Sequence, residues 1–181
     1  MMMLEDKLLI WKLKNRNQEA LRCIYEKYKN ELLALAVTFC NDRTCAEDAL
    51  HDVFVSLASV APKLRLRTCL KSYLASSVAN RLRNIHRAER RTTGLDEADF
   101  PPSTSDNPEG EAISAERSRK VDVALMQIPF EQREVVLLHI QSELKFRQIA
   151  KQQGVSINTV QSRYRYAINR LQTILNHEVL K

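Results

Sequence analysis

Apolar residues recur every three or four positions along most of this chain, which is the spacing of one buried face on an α-helix. The first strong pattern predicts a helix from about Gln18 to Phe39, with Asn17 as its N-cap. A second helix is expected to start at Thr44, because Thr44 and Glu47 have capping-box spacing. A third should run from about Thr68 to Arg91. The apolar stripes of these helices are Leu21, Ile24, Tyr25, Tyr28, Leu32, Leu35 and Phe39, then Leu50, Val53, Phe54 and Leu57, then Leu70, Leu74, Val78, Leu82 and Ile85.

The C-terminal part of the chain has the pattern of a helix-turn-helix. Helices are predicted around Ser118 to Gln127 and Phe130 to Gln141, followed by a short helix from Lys145 to Gln152. Gly154 then supplies a left-handed turn position, and Ser156 caps the last helix. The second helix of such a motif can enter the DNA major groove. Its buried stripe is expected to comprise Val160, Tyr164, Ala167 or Ile168, Leu171 and Leu175.

Residues 92–118 interrupt these helical patterns. The stretch is acidic, rich in proline, serine and threonine, and has no apolar period, so a flexible linker is predicted. It divides the chain into a helical domain at residues 1–91 and a second one at residues 119–181. With only three glycines and five prolines, the chain has little turn chemistry for a sheet. The expected fold is all-α, with two small helical domains joined by a flexible acidic linker.

Charge separates the three segments. Residues 1–91 carry 17 basic and 10 acidic side chains, residues 92–118 carry 1 and 7, and residues 119–181 carry 10 and 5. Two basic blocks suit a phosphate-rich partner, although charge alone fits an ordinary solvated surface equally well. The basic third helix also fits a membrane surface or a calmodulin-like groove. Its Asn80 and Asn84 suit nucleic acid at least as well.

The last helix presents polar side chains on the face opposite its buried stripe. Arginine can bond guanine O6 and N7 together, asparagine and glutamine can pair with adenine, and serine or threonine can bond phosphate. The alternative is a merely solvated face, which the preceding short helix, the Gly154 spacing and the Ser156 cap disfavour. The candidate DNA-binding residues here are Asn158, Thr159, Gln161, Ser162, Arg163 and Arg165.

Cysteines and histidines show no pattern of a metal or catalytic site. The four histidines are scattered and the acids dispersed, so no catalytic role, metal or cofactor is expected. The N-terminus has no signal-peptide pattern, and no stretch approaches roughly 18 apolar residues. These features predict a non-enzymatic, cytoplasmic protein without membrane insertion. Four cysteines without a CxxC pair are expected to be buried free thiols: Cys23, Cys40, Cys45 and Cys69.

Three segments occur in the order found in a known protein family. They are AEDALHDVFVSL from Ala46 to Leu57, LKSYLASSVANRLRNIHRAERR from Leu70 to Arg91, and the segment from Ile128 to Leu171 that contains the helix-turn-helix. Together they resemble a bacterial RNA polymerase sigma factor of the small, two-domain extracytoplasmic-function (ECF) group of the sigma-70 family. The resemblance implies an initiation factor that directs core RNA polymerase to specific promoters.

The first two segments resemble sigma region two. In the family, the first of them docks on the coiled coil of the polymerase β′ subunit, and the second reads and melts the minus-ten element. The loop from Ala61 to Arg67 is implied to hold a flipped-out base of the opened strand. The core-binding residues implied by the resemblance are Glu47, Asp48, His51 and Asp52. The implied DNA-binding residues are Asn80, Arg83, Asn84 and Arg87.

The third segment resembles region four, which in the family reads the minus-thirty-five element and contacts the polymerase β flap. Asn158 stands where the family has glycine and Gln161 where it has lysine, so a different hexamer preference is expected. By the same resemblance, the linker threads toward the polymerase active site, and an anti-sigma protein is a candidate partner. The residues that match the family's DNA-reading run are Thr159, Val160, Ser162 and Arg163.

A second interpretation is a two-domain helix-turn-helix transcriptional regulator that binds duplex DNA without acting as an initiation factor. Its first domain would be a sensor or a dimerisation module. The helix at Ala46–Leu57 and the basic third helix argue against it, because they look like interaction surfaces rather than the walls of a pocket.

Overall fold

The computed structural model describes residues 4–66, 69–93 and 120–179, and within these residues every regular element is a helix. The all-α prediction is confirmed. The chain separates into two compact units, Met1–Ala98 and Asp99–Lys181. Apart from residues 92 and 93, which end a helix, the predicted linker lies outside the described residues. The domain boundaries at residues 91 and 118 stay a prediction.

The first unit is built around one long central helix. Its elements are α1 (Leu4–Lys14), α2 (Gln18–Cys40), α3 (Arg43–Val60), a 3-10 turn (Ala61–Lys63) and α4 (Leu70–Thr93). Helix α2 contacts α1, α3 and α4, so the apolar stripes predicted from the sequence converge on it. The largest fully buried side chains of this unit are Ile24, Phe39, Leu57, Leu70, Leu74, Val78 and Leu82.

The junction between α2 and α3 differs from its sequence-based prediction. Asn41 ends α2 in the left-handed conformation, with φ of 53°. The N-cap of α3 is then Asp42, whose Oδ1 accepts the backbone N–H groups of Thr44 at 2.8 Å and Cys45 at 3.2 Å. The capping box predicted at Thr44 is therefore wrong, because a carboxylate two residues earlier already satisfies the first N–H groups. Glu47 instead accepts a hydrogen bond from Arg43 Nε at 2.8 Å.

Helix α1, which the apolar pattern did not predict, is attached to α2 by a buried carboxylate. Asp6 is only 3% exposed. It accepts hydrogen bonds from Tyr28 Oη at 2.9 and 3.0 Å and from Lys27 Nζ at 2.8 Å. Hydrogen bonds to Asp6, and then to Glu5, raise the pKa of Lys27, while burial, and then the bond to Asp6, raises the pKa of Tyr28. Lys27 thus keeps its positive charge and Tyr28 keeps its hydroxyl proton, and both groups donate to the Asp6 carboxylate.

The second unit packs its last helix across two shorter ones. The described part of α5 covers residues 120–126, and it is followed by α6 (Phe130–Ile140), α7 (Phe146–Gln153) and α8 (Ile157–Val179). Helix α8 contacts both α6 and α7. The predicted inward positions Val160 and Ala167 are fully buried.

A buried arginine joins α6 to the end of α5. Arg133 is 8% exposed. It donates hydrogen bonds to the carbonyl oxygens of Leu125 at 2.8 Å, Met126 at 3.1 Å and Ile128 at 3.3 Å. The last carbonyls of a helix lack intrahelical donors and carry partial negative charge, so they suit a buried guanidinium. Arg133 thereby fixes how the chain turns at Pro129, which is the N-cap of α6.

Replacing Asp6 with alanine should destabilise the first unit by about 3 kcal/mol, because Tyr28 and Lys27 lose the buried acceptor that they share. Chemical denaturation followed by the fluorescence of Trp11, the only tryptophan of the chain, measures the loss within α1. The matched control is Glu5→Ala. It removes the other carboxylate that pairs with Lys27. The Glu5 side chain is 62% exposed, so its loss should change stability by about 0.5 kcal/mol or less. Equal losses in the two variants would contradict a special role for the buried carboxylate.

Candidate nucleic-acid and protein interfaces

The turn between α7 and α8 has the geometry of a helix-turn-helix. Gly154 follows α7 with φ of 68°, a region that glycine enters without steric penalty. Its N–H bonds the carbonyl oxygen of Ala150, so it closes the helix. Ser156 Oγ accepts the N–H of Thr159 at 3.0 Å and lies 2.8 Å from the hydroxyl oxygen of Thr159. The predicted glycine turn and serine cap are both confirmed.

An aromatic cluster from three helices sets the position of α8. The ring centroids of His139 on α6, Phe146 on α7 and Tyr164 on α8 lie 4.3 to 5.2 Å apart. His139 Nδ1 also lies 2.8 Å from the carbonyl oxygen of Leu144, so that nitrogen carries the hydrogen and donates it. Offset and edge-on ring contacts of this kind are directional. The cluster therefore holds α8 at a fixed orientation relative to α6 and α7.

The six predicted DNA-binding residues of α8 do not share one environment. Asn158, Gln161 and Arg165 are exposed, whereas Thr159, Ser162 and Arg163 are partly buried. The Thr159 hydroxyl is engaged at the helix cap. Arg163 donates from Nη1 to Gln153 Oε1 at 2.8 Å, so its guanidinium is held against α7.

Sequence reasoning missed one prominent side chain on this face. Tyr166 is 58% exposed. Its ring lies 5.6 Å from the guanidinium carbon of Arg165, within the range of a cation–π contact. The signal that could have found it is its spacing, four residues after Ser162 and eight after Asn158, which places it on their side of the helix.

The four predicted DNA-binding residues of α4, Asn80, Arg83, Asn84 and Arg87, form one stripe. They are spaced at i, i+3, i+4 and i+7, so they lie along one side of the helix. Asn80 is exposed and accepts a hydrogen bond from Arg83 Nη1 at 2.8 Å. Asn84 and Arg87 are exposed beyond it, and Arg83 is partly buried. Buried Leu74, Val78 and Leu82 face the core from the same helix. The helix thus separates a polar, basic stripe from an apolar one.

The four predicted core-binding residues of α3 are all exposed, but they lie in two different environments. Glu47, Asp48 and His51 line a groove of about 830 Å³ between α2 and α3. Asp52 is instead paired with Arg81 of α4, with Oδ2 lying 2.7 Å from Nε and 2.6 Å from Nη2. The structure therefore brings three of the four residues together at the groove.

Two apolar side chains in this groove were not predicted as part of a site. Tyr25 and Val55 are 39% and 56% exposed, and both line the groove beside the acidic residues. Tyr25 is oriented by an edge-on contact with Phe54, with ring centroids 5.0 Å apart. The sequence placed Tyr25 in the buried stripe of α2. It lies instead at the margin of that stripe, where a tyrosine can bury its ring and leave its hydroxyl in contact with solvent.

Other sequence-based expectations can be compared with the described residues. No group of three or more histidine, cysteine, aspartate or glutamate side chains among them could hold a metal ion. No described helix is long and apolar enough to cross a membrane. All four cysteines are free thiols, but Cys23 is exposed and the other three are only partly buried, so the prediction of buried thiols is wrong. Cys23 precedes the buried Ile24 and points away from the core.

Comparisons with known proteins identify the family. A model of sigma-70 region 2 matches residues 24–92, and a model of sigma-70 region 4 matches residues 118–171. The chain belongs to the sigma-70 family. This sigma factor carries its polymerase-binding region and its helix-turn-helix region in the order inferred from the sequence, and core RNA polymerase and promoter DNA are its partners. The alternative of a duplex-binding regulator has no support in these matches.

Two solved structures share the fold of this sigma factor. One is CnrH in complex with the cytosolic domain of CnrY, with 18% identity, a TM-score of 0.66, and coverage of 96% of this chain and 98% of that chain. The other is the sigma factor RpoE in complex with the anti-sigma factor NepR from Bartonella quintana, with 24% identity, the same TM-score of 0.66, and coverage of 90% and 98%. No curated protein matches this chain.

The ion pair between Asp52 and Arg81 should contribute little to stability, because both side chains are about half exposed and solvent screens the attraction. A double-mutant cycle of Asp52→Asn and Arg81→Gln should give a coupling of about 1 kcal/mol or less in the free energy of unfolding. Denaturation of the single and double variants provides the measurement. A coupling of several kcal/mol would show that the pair is a structural element rather than part of an accessible surface.

Proposed function

We propose that this chain is an ECF-group initiation factor that holds a promoter at two points while one face stays on core polymerase. The observation that carries the proposal is the presence, in one chain of the sigma-70 family, of three exposed faces of suitable chemistry. These are the groove between α2 and α3, with carboxylates on its α3 side, the basic stripe of α4 and the outer face of α8. The chain acts in the cytoplasm and performs no chemistry of its own.

The groove between α2 and α3 is the proposed site for core polymerase. Its α3 side carries the carboxylates of Glu47 and Asp48 and its α2 side the cations of Arg22 and Lys29. Exposed apolar surfaces lie between them. Protein interfaces typically place aromatic and aliphatic contacts inside a charged rim. A coiled coil with apolar side chains, and with basic ones facing α3, fits such a groove. Asp52 stands at the end of this surface, where it meets Arg81 of α4.

The stripe on α4 is the proposed minus-ten surface. Asn80 and Asn84 can donate to and accept from base edges, while Arg83 and Arg87 supply positive charge for phosphates. The hydrogen bond from Arg83 to Asn80 orients the asparagine amide before DNA arrives. The last turn of the helix adds Arg90 and Arg91. Opened promoter DNA, which carries both exposed bases and phosphates, matches this mixture.

The outer face of α8 is the proposed minus-thirty-five surface. Asn158 lies in the first turn, where the helix N-terminus also attracts phosphate. Gln161 and Arg165 are exposed and can reach base edges or backbone. Tyr166 extends this face by one turn with an exposed ring.

Control by an anti-sigma protein is the proposed regulation. One solved neighbour is described with an anti-sigma factor and the other with the cytosolic domain of a partner protein. The same faces that would meet polymerase and DNA are exposed in this chain, so a partner covering them would prevent both contacts.

Run-off transcription with purified core polymerase and a library of promoter fragments tests the proposal. Transcripts that start at specific sequences only when this protein is added would support it. Tight binding of the isolated protein to duplex DNA, with no effect on transcription by core polymerase, would contradict it.

Reversing the charge at Asp48 should weaken the complex with core polymerase by about tenfold, because a lysine there removes the negative charge of the α3 side of the groove. The affinity of Asp48→Lys for core polymerase can be measured by competition with the labelled wild-type protein. Glu31→Lys is the matched control, since Glu31 is an exposed carboxylate of α2 and neither it nor its partner Lys71 lines the groove. Equal weakening in both variants would indicate a general charge effect instead of a local surface.

Replacing Arg163 with alanine should reduce selectivity for the upstream hexamer by about 1–3 kcal/mol, the range expected for a bidentate contact with one base pair. The measurement compares transcription from promoters that differ at single positions of the hexamer. Arg170→Ala, which removes an exposed cation from the later part of α8, is the control and should leave selectivity unchanged. Unaltered promoter choice in Arg163→Ala would show that a different side of α8 faces the DNA.

A further inference from the structure

One hydrogen bond joins the two helices of the helix-turn-helix through their side chains. Gln153 is the last residue of α7 and directly precedes the turn glycine. Its Oε1 accepts from Arg163 Nη1 at 2.8 Å, in a partly buried position. The bond spans 10 positions of the chain and crosses the turn. The guanidinium that is proposed to read a base is therefore already held by a residue of the preceding helix.

The NH2 group of the Gln153 side chain makes no hydrogen bond with the described residues. Its Nε2 is buried and finds no hydrogen-bond acceptor among the described residues. A buried N–H without a partner is unfavourable, and an apolar side chain of similar length would avoid this penalty. The amide therefore destabilises the packing between α7 and α8 on one side, while its oxygen serves Arg163 on the other. Its one described interaction is with the side chain proposed to face DNA.

The bond also determines which edge of the guanidinium is free. Arginine has five N–H donors in a rigid plane, and it recognises guanine by presenting two of them in parallel. With Nη1 bound to Gln153, the edge formed by Nε and Nη2 remains available as such a pair. Without the anchor, the long side chain samples many rotamers, and ordering it on DNA opposes binding. Preorganisation of this kind improves geometric selectivity.

We propose that Gln153 is a positioning residue, which orients Arg163 and so determines how strictly one base pair of the upstream hexamer is read. The inference rests on the proposed function of Arg163 at the minus-thirty-five element. Gln153 itself contacts the arginine and not the DNA. Its effect should therefore appear in the selectivity at one position of the hexamer, and only when Arg163 is present.

The experiment uses the full chain with core polymerase and a promoter library randomised across the upstream hexamer. The variants are Gln153→Leu, which removes the acceptor, Gln153→Glu, which keeps one, Arg163→Ala, and Gln153→Leu combined with Arg163→Ala. Thermal unfolding of each protein is recorded beside the transcription data. The readout, at each hexamer position, is the ratio of transcription from promoters with the preferred base to transcription from promoters with the other bases.

Arg163→Ala should abolish the base preference at a single hexamer position. Gln153→Leu should lower the ratio about tenfold at that same position and leave the other positions unchanged. Gln153→Glu should retain the preferred base but weaken promoter binding overall, because the carboxylate neutralises the arginine. Adding Gln153→Leu to Arg163→Ala should change nothing further in selectivity. This pattern cannot arise from a general loss of folding, which would affect all positions.

Three results would overturn the inference. One is a wild-type ratio in Gln153→Leu, another is an equal loss at every position, and the third is a further loss of selectivity when Gln153→Leu is added to Arg163→Ala. The proposed function fails separately, through a wild-type protein that gives no promoter-specific transcript. If wild type and Arg163→Ala behave as proposed while Gln153→Leu resembles wild type, only the role of Gln153 is wrong.

Discussion

Each long helix in this protein buries one apolar stripe in a core. Burial of that stripe leaves the opposite side of the helix exposed to solvent. In α3, burial of Val53 and Leu57 against α2 keeps Asp48 exposed at the groove. In α4 and α8 the same constraint separates the core from a polar, basic side. Because a helix turns through 3.6 residues, the two sides are fixed relative to each other along its length. Packing of the core therefore sets which side of each helix carries a candidate surface, before any side-chain hydrogen bond orients its residues.

Periodicity explains why much of this arrangement could be predicted from the sequence. The bounds of α2 and the cap at Asn17, whose side chain accepts from Ala20 N at 3.2 Å, follow from local patterns. Gly154 and Ser156 are likewise local signals, since a left-handed turn and an N-cap depend on one residue each. Exposure of most predicted site side chains follows from the same repeat, whereas Arg83, Thr159, Ser162 and Arg163 are partly buried.

Contacts between distant positions could not be predicted in this way. The attachment of α1 depends on Asp6 meeting Tyr28, 22 positions later, and α1 is apolar on both sides, so it shows no stripe. Asp52 and Arg81 are 29 positions apart, and Gln153 and Arg163 are separated by a turn. Nothing in the spacing of residues specifies these pairs, because they depend on how helices pack. As a result, several candidate interface side chains are already bonded within the chain, and these bonds fix their orientation before a partner arrives.

The attachment of α1 has a consequence for the order in which the first unit assembles. An isolated helix of 11 residues is barely stable in water, because its first turn fixes several torsions for a single hydrogen bond. The carboxylate of Asp6 has no buried partners until α2 presents Tyr28 and Lys27 on one side of a formed helix. Helix α1 is thus a dependent segment, which forms after α2 and opens before it. The N-terminal part of this sigma factor can loosen while the bundle beneath it remains folded.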